Sequence, residues 1–470
     1  MMKRSFADIL QGLDSDRAQK VARKLPAWSA AGAEIPSALA LEQCSSAATA
    51  RYKAELAVLL QNRSRPWLRE REGPNRQVGR DSAQRVVLQQ QLPGSAGYSV
   101  LDLTGGLGVD SWAFSQVAER VVYFERNEEL AEAAKRNFAR LGADNIEVRC
   151  ETVTPETELP EADLIYADPA RRDAAGRKVF LLEDCTPDIL TLLPMLLRKA
   201  PAVLLKLSPM ADLSMLAERL GPALQEIHVV ELDGEVKELL CLLRRDTPPA
   251  EPDIVITLLM SAATASGNRS LQAGFFSTPC TPFQGDLALS GGSVRVDVSG
   301  GSSPLREAIS FRLSEERAAE VQYAAEVRPG DVLLEPCAAL LKAGAFRLPC
   351  ARWNLLKLAP STHLYLLPGT EKPSSAPGES ISYVPGTETP HSAPGNHFFK
   401  ARTVKEVLPL GAAAFKDLRK RYPRAEVTAR NLPLGSPELQ KKLGIPPGGD
   451  THIFGTRLAD NSPVLIITQA

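Results

Sequence analysis

The sequence of 470 residues is short of cysteine and histidine and has almost no excess of either charge. Its seven cysteines (Cys44, Cys150, Cys185, Cys241, Cys280, Cys337 and Cys350) are scattered, with no C-x-x-C pair among them. That spacing argues against a zinc knuckle, an iron–sulfur cluster or a disulfide framework, and it suits a reducing cytoplasm. The five histidines (His228, His363, His391, His397 and His452) show no metal-ligand spacing either. No apolar run approaches the roughly 18 residues that span a bilayer, and the opening MMKRSFADILQGLDSD lacks the apolar stretch of a signal peptide. A cytoplasmic protein without a membrane segment or a metal is expected.

Net charge is −1 over the whole chain, which by itself points to no partner. Residues 1–100, however, hold 15 Lys and Arg against 9 Asp and Glu, and residues 396–470 hold 12 against 6. Basic flanks around an acidic centre either grip a polyanion at both ends or reflect chance variation among solvated faces. With 44% apolar and 24% charged residues the chain is ordinary globular material, long enough for two to four domains.

Residues 1–95 read as an N-terminal helical region. Ser45-Ser46 is a plausible cap before AATARYKAELAVLLQ, in which Tyr52, Leu56, Leu59 and Leu60 recur at helical spacing. RSRPWLREREGPNRQVGR (63–80) sets six arginines around Trp67. Such a stretch serves either nucleic-acid stacking and phosphate contact or a solvated linker with one aromatic anchor. From Tyr98 the rhythm changes. YSVLDL, VVYFE, NIEVRC, ADLIYA and AVLLKL read as strands separated by helices, and EIHVVE and EVKELLCLL as a closing pair that could run antiparallel at one edge. Residues 96–245 therefore read as an α/β domain with a doubly wound parallel sheet.

Residues 246–365 contain strand-like DIVITLL, VRVDV and DVLLE and a helix-like PLREAISFRLSEERAAEVQYAAE, so a small α+β domain, ferredoxin-like among the options, is expected. PGTEKPSSAPGE (368–379) recurs as PGTETPHSAPGN (385–396), identical at 9 of 12 positions with a period of 17. Residues 366–396 thus read as a duplicated, flexible Pro/Gly/Ser/Thr insertion without chemistry. Residues 397–470 read as a compact basic α+β module.

VLDLTGGLGVDS (100–111) is a strand, a glycine turn and a helix start, in which Gly105, Gly106 and Gly108 permit close approach by a ligand. The dinucleotide fingerprint G-x-G-x-x-G, counted from Gly106, would need glycine where Ser111 stands. Glu125 ends the next strand, where a carboxylate can accept both hydroxyls of an adenosine ribose. That acid is shared by nicotinamide and S-adenosylmethionine (SAM) sites and does not choose between them. The fourth strand runs into Asp168-Pro169-Ala170-Arg171, at the carboxyl end where open α/β sheets bind ligands.

D-x-T-G-G-x-G, the acid after strand 2 and D-P-x-x after strand 4 together resemble the class I SAM-dependent methyltransferases. DLTGGLGVDS, FERNEEL, DPARRD, KVFLLEDCTP, LLKLSPM, EPCAALLKAGAF and the terminal RNLPL…KKLGI…GGD resemble, more narrowly, an uncharacterised bacterial group of methyltransferases with a THUMP-like C-terminal domain. The resemblance spans most of the chain except the duplicated insertion. It implies a Rossmann-like, seven-stranded fold, SAM as cofactor, and tRNA or rRNA as the partner of a THUMP-like RNA-binding domain over 397–470. It further implies that Asp102, Thr104, Gly105, Gly106 and Gly108 cradle the amino-acid part of SAM. Glu125 would hold the ribose, and Glu151 would face the adenine amino group. Asp168 and the backbone at Pro169 would accept hydrogen bonds from a target amino group.

Where relatives that methylate exocyclic amines carry a second proline and an aromatic, this chain has Ala170 and Arg171. Arg171 can stack on a base or hold a phosphate. Cys185 is either a nucleophile or a small buried hydrophobe, and Lys206 either points into the site or into solvent. The expected activity is methylation of an amino nitrogen of an RNA base. The alternatives are a protein or small-molecule acceptor, or a SAM-binding RNA-interaction module with little catalysis.

Overall fold

The computed structural model describes residues 6–64, 97–170, 185–246, 248, 250–261, 305–368 and 397–469. The chain divides into two compact units, Met1–Ser310 and Phe311–Ala470. The first opens with helices α1 (Phe6–Lys24), α2 (Pro26–Ala30), α3 (Ala38–Gln43) and α4 (Ala47–Ser64). The start of α4 is closed reciprocally: Thr49 N–H donates to Ser46 Oγ at 3.2 Å and Ser46 N–H to Thr49 Oγ1 at 3.1 Å. Two helix-end donors that would otherwise lack partners are satisfied this way.

Strand–helix alternation follows: β1 (Ser99–Asp102), α5 (Val109–Ser115), β2 (Arg120–Phe124), α6 (Glu128–Arg140), β3 (Ile146–Arg149), β4 (Leu164–Ala167), α7 (Ile189–Lys199), β5 (Ala202–Leu207) and α8 (Leu213–Leu220). Then come β6 (Leu224–Leu232), β7 (Glu235–Arg244), β8 (Asp253–Leu259) and β9 (Leu305–Phe311). The sheet order is β3-β2-β1-β4-β5-β7-β6-β8-β9. β1 to β5 run parallel, and β7 lies antiparallel to both β5 and β6. Strands covered on both faces need continuous apolar runs, and all four residues of β4 are buried. The first seven strands form the expected doubly wound sheet, whose order reverses between β1 and β4.

Two sequence expectations need correction. The antiparallel β6–β7 pair does not form an edge, because β8 pairs parallel with β6 and β9 follows it. The stretch expected to be a helix from 304 is strand β9 over its first half and a short helix, α9 (Leu313–Ala318), over its second. Leu, Arg, Glu and Ala favour a helix locally, but a sheet position that buries Ala308, Ile309 and Phe311 outweighs that preference.

The N-terminal helices share one apolar core with this sheet. Trp28 meets Trp112 of α5 edge-on at 6.3 Å. Tyr52 of α4 shares hydrogen bonds with His228 Nδ1 at 2.8 Å and Thr257 Oγ1 at 2.9 Å, on β6 and β8. Glu34 ion-pairs with Arg136 and Arg140 of α6, each at 2.8 Å. Of the arginine-rich stretch around Trp67, residues from 65 onward lie outside the described residues, as does VRVDV.

The second unit holds α9, β10 (Gln322–Tyr323), β11 (Val332–Pro336), α10 (Ala338–Lys342), α11 (Leu348–Trp353), β12 (Leu356–Ala359), β13 (Thr362–Leu366), β14 (Phe399–Pro409), α12 (Ala412–Arg421), β15 (Glu426–Ala429), α13 (Ser436–Leu443), β16 (Thr451–Arg457) and β17 (Pro463–Gln469). Its eight strands form one sheet in the order β10-β12-β13-β11-β14-β17-β16-β15. β11 pairs antiparallel with both β13 and β14, so segments on either side of the duplicated insertion join in a single sheet. The insertion from 369 to 396 lies outside the described residues. Buried Glu316 of α9 accepts from the backbone N–H groups of Phe346, Arg347 and Leu348 at 3.0, 2.8 and 2.8 Å, which fixes the start of α11.

Candidate active site

β1, β2 and β4 are neighbours, and the turns after them meet at one end of the sheet. The glycine turn that follows β1 is pressed against aromatic rings. A Cβ on Gly105 would lie 2.0 Å from the Tyr123 ring, and one on Gly108, whose φ is +91°, would lie 2.6 Å from the Phe138 ring. Side chains at these two positions would push the loop off its floor. Gly106 differs: its φ is +55°, and within 4 Å an added Cβ would meet only the Thr104 carbonyl oxygen, at 3.8 Å. The space beside Gly106 is therefore open to a ligand. Tyr123 O–H donates to the Gly106 carbonyl at 2.5 Å and holds the turn from below.

Asp102 lies beneath this turn, only 1% exposed. Its carboxyl accepts from Ser111 Oγ at 2.5 Å and from the Thr104 N–H at 3.1 Å, tying the end of β1 to the first turns of α5. Burial pushes its pKa up to about 7. Glu125, one residue past β2, accepts from Gly106 N–H and Asn127 N–H, both at 2.8 Å. Each of its oxygens keeps a second lone pair for a ligand hydroxyl. Glu151 is exposed two residues beyond β3. The loop and the acceptor carboxylates of Glu125 and Glu151 thus follow three adjacent strands, an arrangement that fits an adenosyl group.

Asp168 is one residue past β4. Its backbone N–H donates to Thr104 Oγ1 at 2.6 Å, so the threonine of the glycine turn directly holds the acidic turn. Pro169 is buried and Ala170 exposed, and Ala170 exchanges backbone hydrogen bonds of 2.8 and 3.0 Å with Thr186. Half-buried Cys185 precedes Thr186. Arg171 lies outside the described residues. The Asp168 carboxylate ion-pairs with Lys206 of β5. Burial opposes the charge on Lys206, but Asp168, Glu238 and Asp110 together raise its pKa above the usual lysine value.

Behind this pair is a buried charge network. Lys53 of α4, fully buried, lies 2.8 Å from Glu238 of β7 and 3.3 Å from Asp110 of α5; the second contact is an ion pair without hydrogen-bond alignment. Lys53 also donates to Ser45 Oγ at 3.0 Å. Asp110 Oδ2 accepts from Ser45 Oγ and from the Tyr166 hydroxyl, both at 2.8 Å. Burial works against the Asp110 carboxylate, yet Lys53, Lys206 and these two hydroxyls hold its pKa below the usual range.

Sequence reasoning left Lys53, Asp110 and Glu238 unassigned and Lys206 undecided. The signals were present. Lys53 stands one and two helical turns before Ala57 and Leu60, on a stripe that should be apolar, and Lys206 interrupts the buried run AVLLKL.

Residues 333–369 match a family described as a ferredoxin-like domain, and residues 401–470 match one described as THUMP domain-like. A putative methyltransferase from Porphyromonas gingivalis W83 superposes with a TM-score of 0.64 at 28% identity, over 97% of this chain and 88% of that one. A ribosomal protein L11 methylase from Lactobacillus delbrueckii subsp. bulgaricus matches with a TM-score of 0.24 at 19% identity, over 32% of this chain and 71% of that one. A tRNA (m1A58) methyltransferase from Aquifex aeolicus matches with a TM-score of 0.24 at 16% identity, over 33% and 64%. At that level neither of the last two likenesses says anything about the substrate of this chain. No curated protein is significantly similar to the chain. Among the described residues no helix is long and apolar enough to cross a membrane, and no cluster of His, Cys, Asp and Glu could hold a metal ion.

Proposed function

We propose that this chain, which carries the class I methyltransferase fold and ends in a THUMP-like domain, transfers a methyl group from SAM to an amino nitrogen of a base in tRNA or rRNA. The observation that carries this reading is the 2.6 Å hydrogen bond between Thr104 and the Asp168 backbone. It joins the turn that would hold the cofactor to the acid that would hold the acceptor. When bound, SAM supplies a methyl already made electrophilic by its sulfonium. Gly106 lets the backbone approach its amino-acid part, Gly105 and Gly108 seat the turn on Tyr123 and Phe138, and Asp102 and Thr104 shape it. Glu125 accepts the ribose hydroxyls, and Glu151 stands toward the adenine. Asp168, with the backbone at Pro169 and Ala170, orients the acceptor N–H so that the nitrogen lone pair faces the methyl. Arg171 contacts the base or its phosphate. Alignment is the main contribution of such a site.

RNA as the acceptor is supported by the THUMP-like match and by exposed Lys405, Lys416, Lys420, Arg424, Lys441 and Lys442 within it. Such cations neutralise phosphates in a salt-dependent way. The test is to incubate the purified protein with tritiated SAM and the RNA, protein and metabolite fractions of a strain lacking the gene. Label should enter RNA, and Asp168→Ala should lower transfer by about a hundredfold or more, the scale for losing one aligned group at a reacting centre. Label confined to protein or metabolites would reject the RNA assignment. SAM binding with no transfer to any fraction would leave a binding module instead.

A further inference from the structure

Lys206 is a poor choice for the fold. It sits on a central strand whose other five residues are buried, with its side chain only 13% exposed. A desolvated ion pair adds little net stability, and replacing both partners by apolar residues of similar volume is often neutral or stabilising, so stability alone does not call for this pair. Costly charges near a ligand site point to function. The ammonium group has three N–H donors. Asp168 Oδ2 takes one, and no described residue accepts from the other two. Asp168 Oδ1 likewise has no donor among the described residues, and the carboxylate is about a third exposed. Among the described residues, an acceptor oxygen and N–H donors without partners thus stand side by side at the end of β4 and β5. Glu238 and Asp110 behind Lys206 keep its charge in place.

We propose that Asp168 and Lys206 read the methyl acceptor at two points: Asp168 Oδ1 accepts the N–H of the reacting nitrogen, and Lys206 Nζ donates to a lone-pair atom on the same carbon. This rests on the methyltransferase reading and adds to it Lys206 as the residue that selects the amino group. The acceptor is a nitrogen attached to an amidine or amide carbon, as in the exocyclic amines of adenine, cytosine and guanine. An alkylammonium group carries donors only, and its charge would face that of Lys206. A base carbon offers no N–H to Asp168. As the nitrogen lone pair forms the N–C bond and the C–S bond breaks with its electrons left on sulfur, the displaced N–H proton passes to Asp168 Oδ1 or to water.

The experiment uses the full-length chain, tritiated SAM and the separate RNA and protein fractions of the strain lacking the gene, with Lys206→Met as the variant. The expected result is a drop of about a hundredfold in transfer, with the SAM dissociation constant within about twofold of the unaltered protein. In the same samples the label should be found on an exocyclic base amine. Transfer by Lys206→Met at the original rate overturns the inference and leaves the proposed function intact. Label on a ribose oxygen or a base carbon overturns both the inference and the amino-nitrogen assignment while keeping RNA as the acceptor. Label on a glutamine or asparagine amide of protein rejects the RNA reading but upholds the two-point contact. Label on protein lysine rejects both.

Discussion

A single side chain, Asp102, couples the geometry of the glycine turn to pH. Its folded pKa of about 7 lies above the value near 3.9 expected in the unfolded chain. Below pH about 4 both states hold the proton, and the neutral, buried carboxyl carries no penalty. As pH rises from about 4 to about 7 only the unfolded state releases it, so stability falls across that window and levels off above it. The shift corresponds to about 4 kcal/mol. Asparagine at this position does not titrate. The stability of the unaltered protein relative to Asp102→Asn should therefore decline by that order between pH 4 and 7, read from urea unfolding at successive pH values. A difference that stays flat with pH would show that Asp102 is more hydrated than its surroundings suggest.

Among the elements, α4 is bound to the sheet by the Lys53 network rather than by apolar contact alone. Lys53→Met removes the cation in contact with buried Asp110 and Glu238, which should cost about 3–5 kcal/mol. Adding Glu238→Leu should restore part of the loss, since Tyr166 and Ser45 still donate to Asp110. Calorimetric melting of the single and double variants checks the order. At this scale the sequence was uneven in what it revealed. β1, β2, β4 and β5 were legible because buried parallel strands have no choice but to be apolar. The half-buried edge strand β3 was legible instead as an alternation of apolar and charged residues, and α5 begins at Val109 as the glycine turn required. β9 was not, since its helix-forming residues are overruled by a neighbouring strand far away in sequence. The acid after β4 was legible as a motif. Its partner was ambiguous, because a lysine near a strand end looks the same whether it meets water or a carboxylate. Lys53 was hidden for a related reason: only the fold brings Asp110 and Glu238, 57 and 185 residues distant, to one point.

For the molecule as a whole, one feature of the second unit matters beyond the chemistry. β13 and β14 flank the same strand, β11, so both ends of the connection from 367 to 398 are anchored by pairing with that strand. The closure cost of such a connection grows only with the logarithm of its length, about 0.6 kcal/mol per doubling. Removing one 17-residue period, residues 369–385, should therefore shift the melting temperature by no more than about 2 °C. It should also leave methyl transfer unaltered; a larger shift would show that the repeat packs on the unit. Strands fixed this way make the connection a tolerant address for copying errors. A duplication of a short segment here costs the fold little, and two copies identical at 9 of 12 positions occupy a connection where such a change is tolerated.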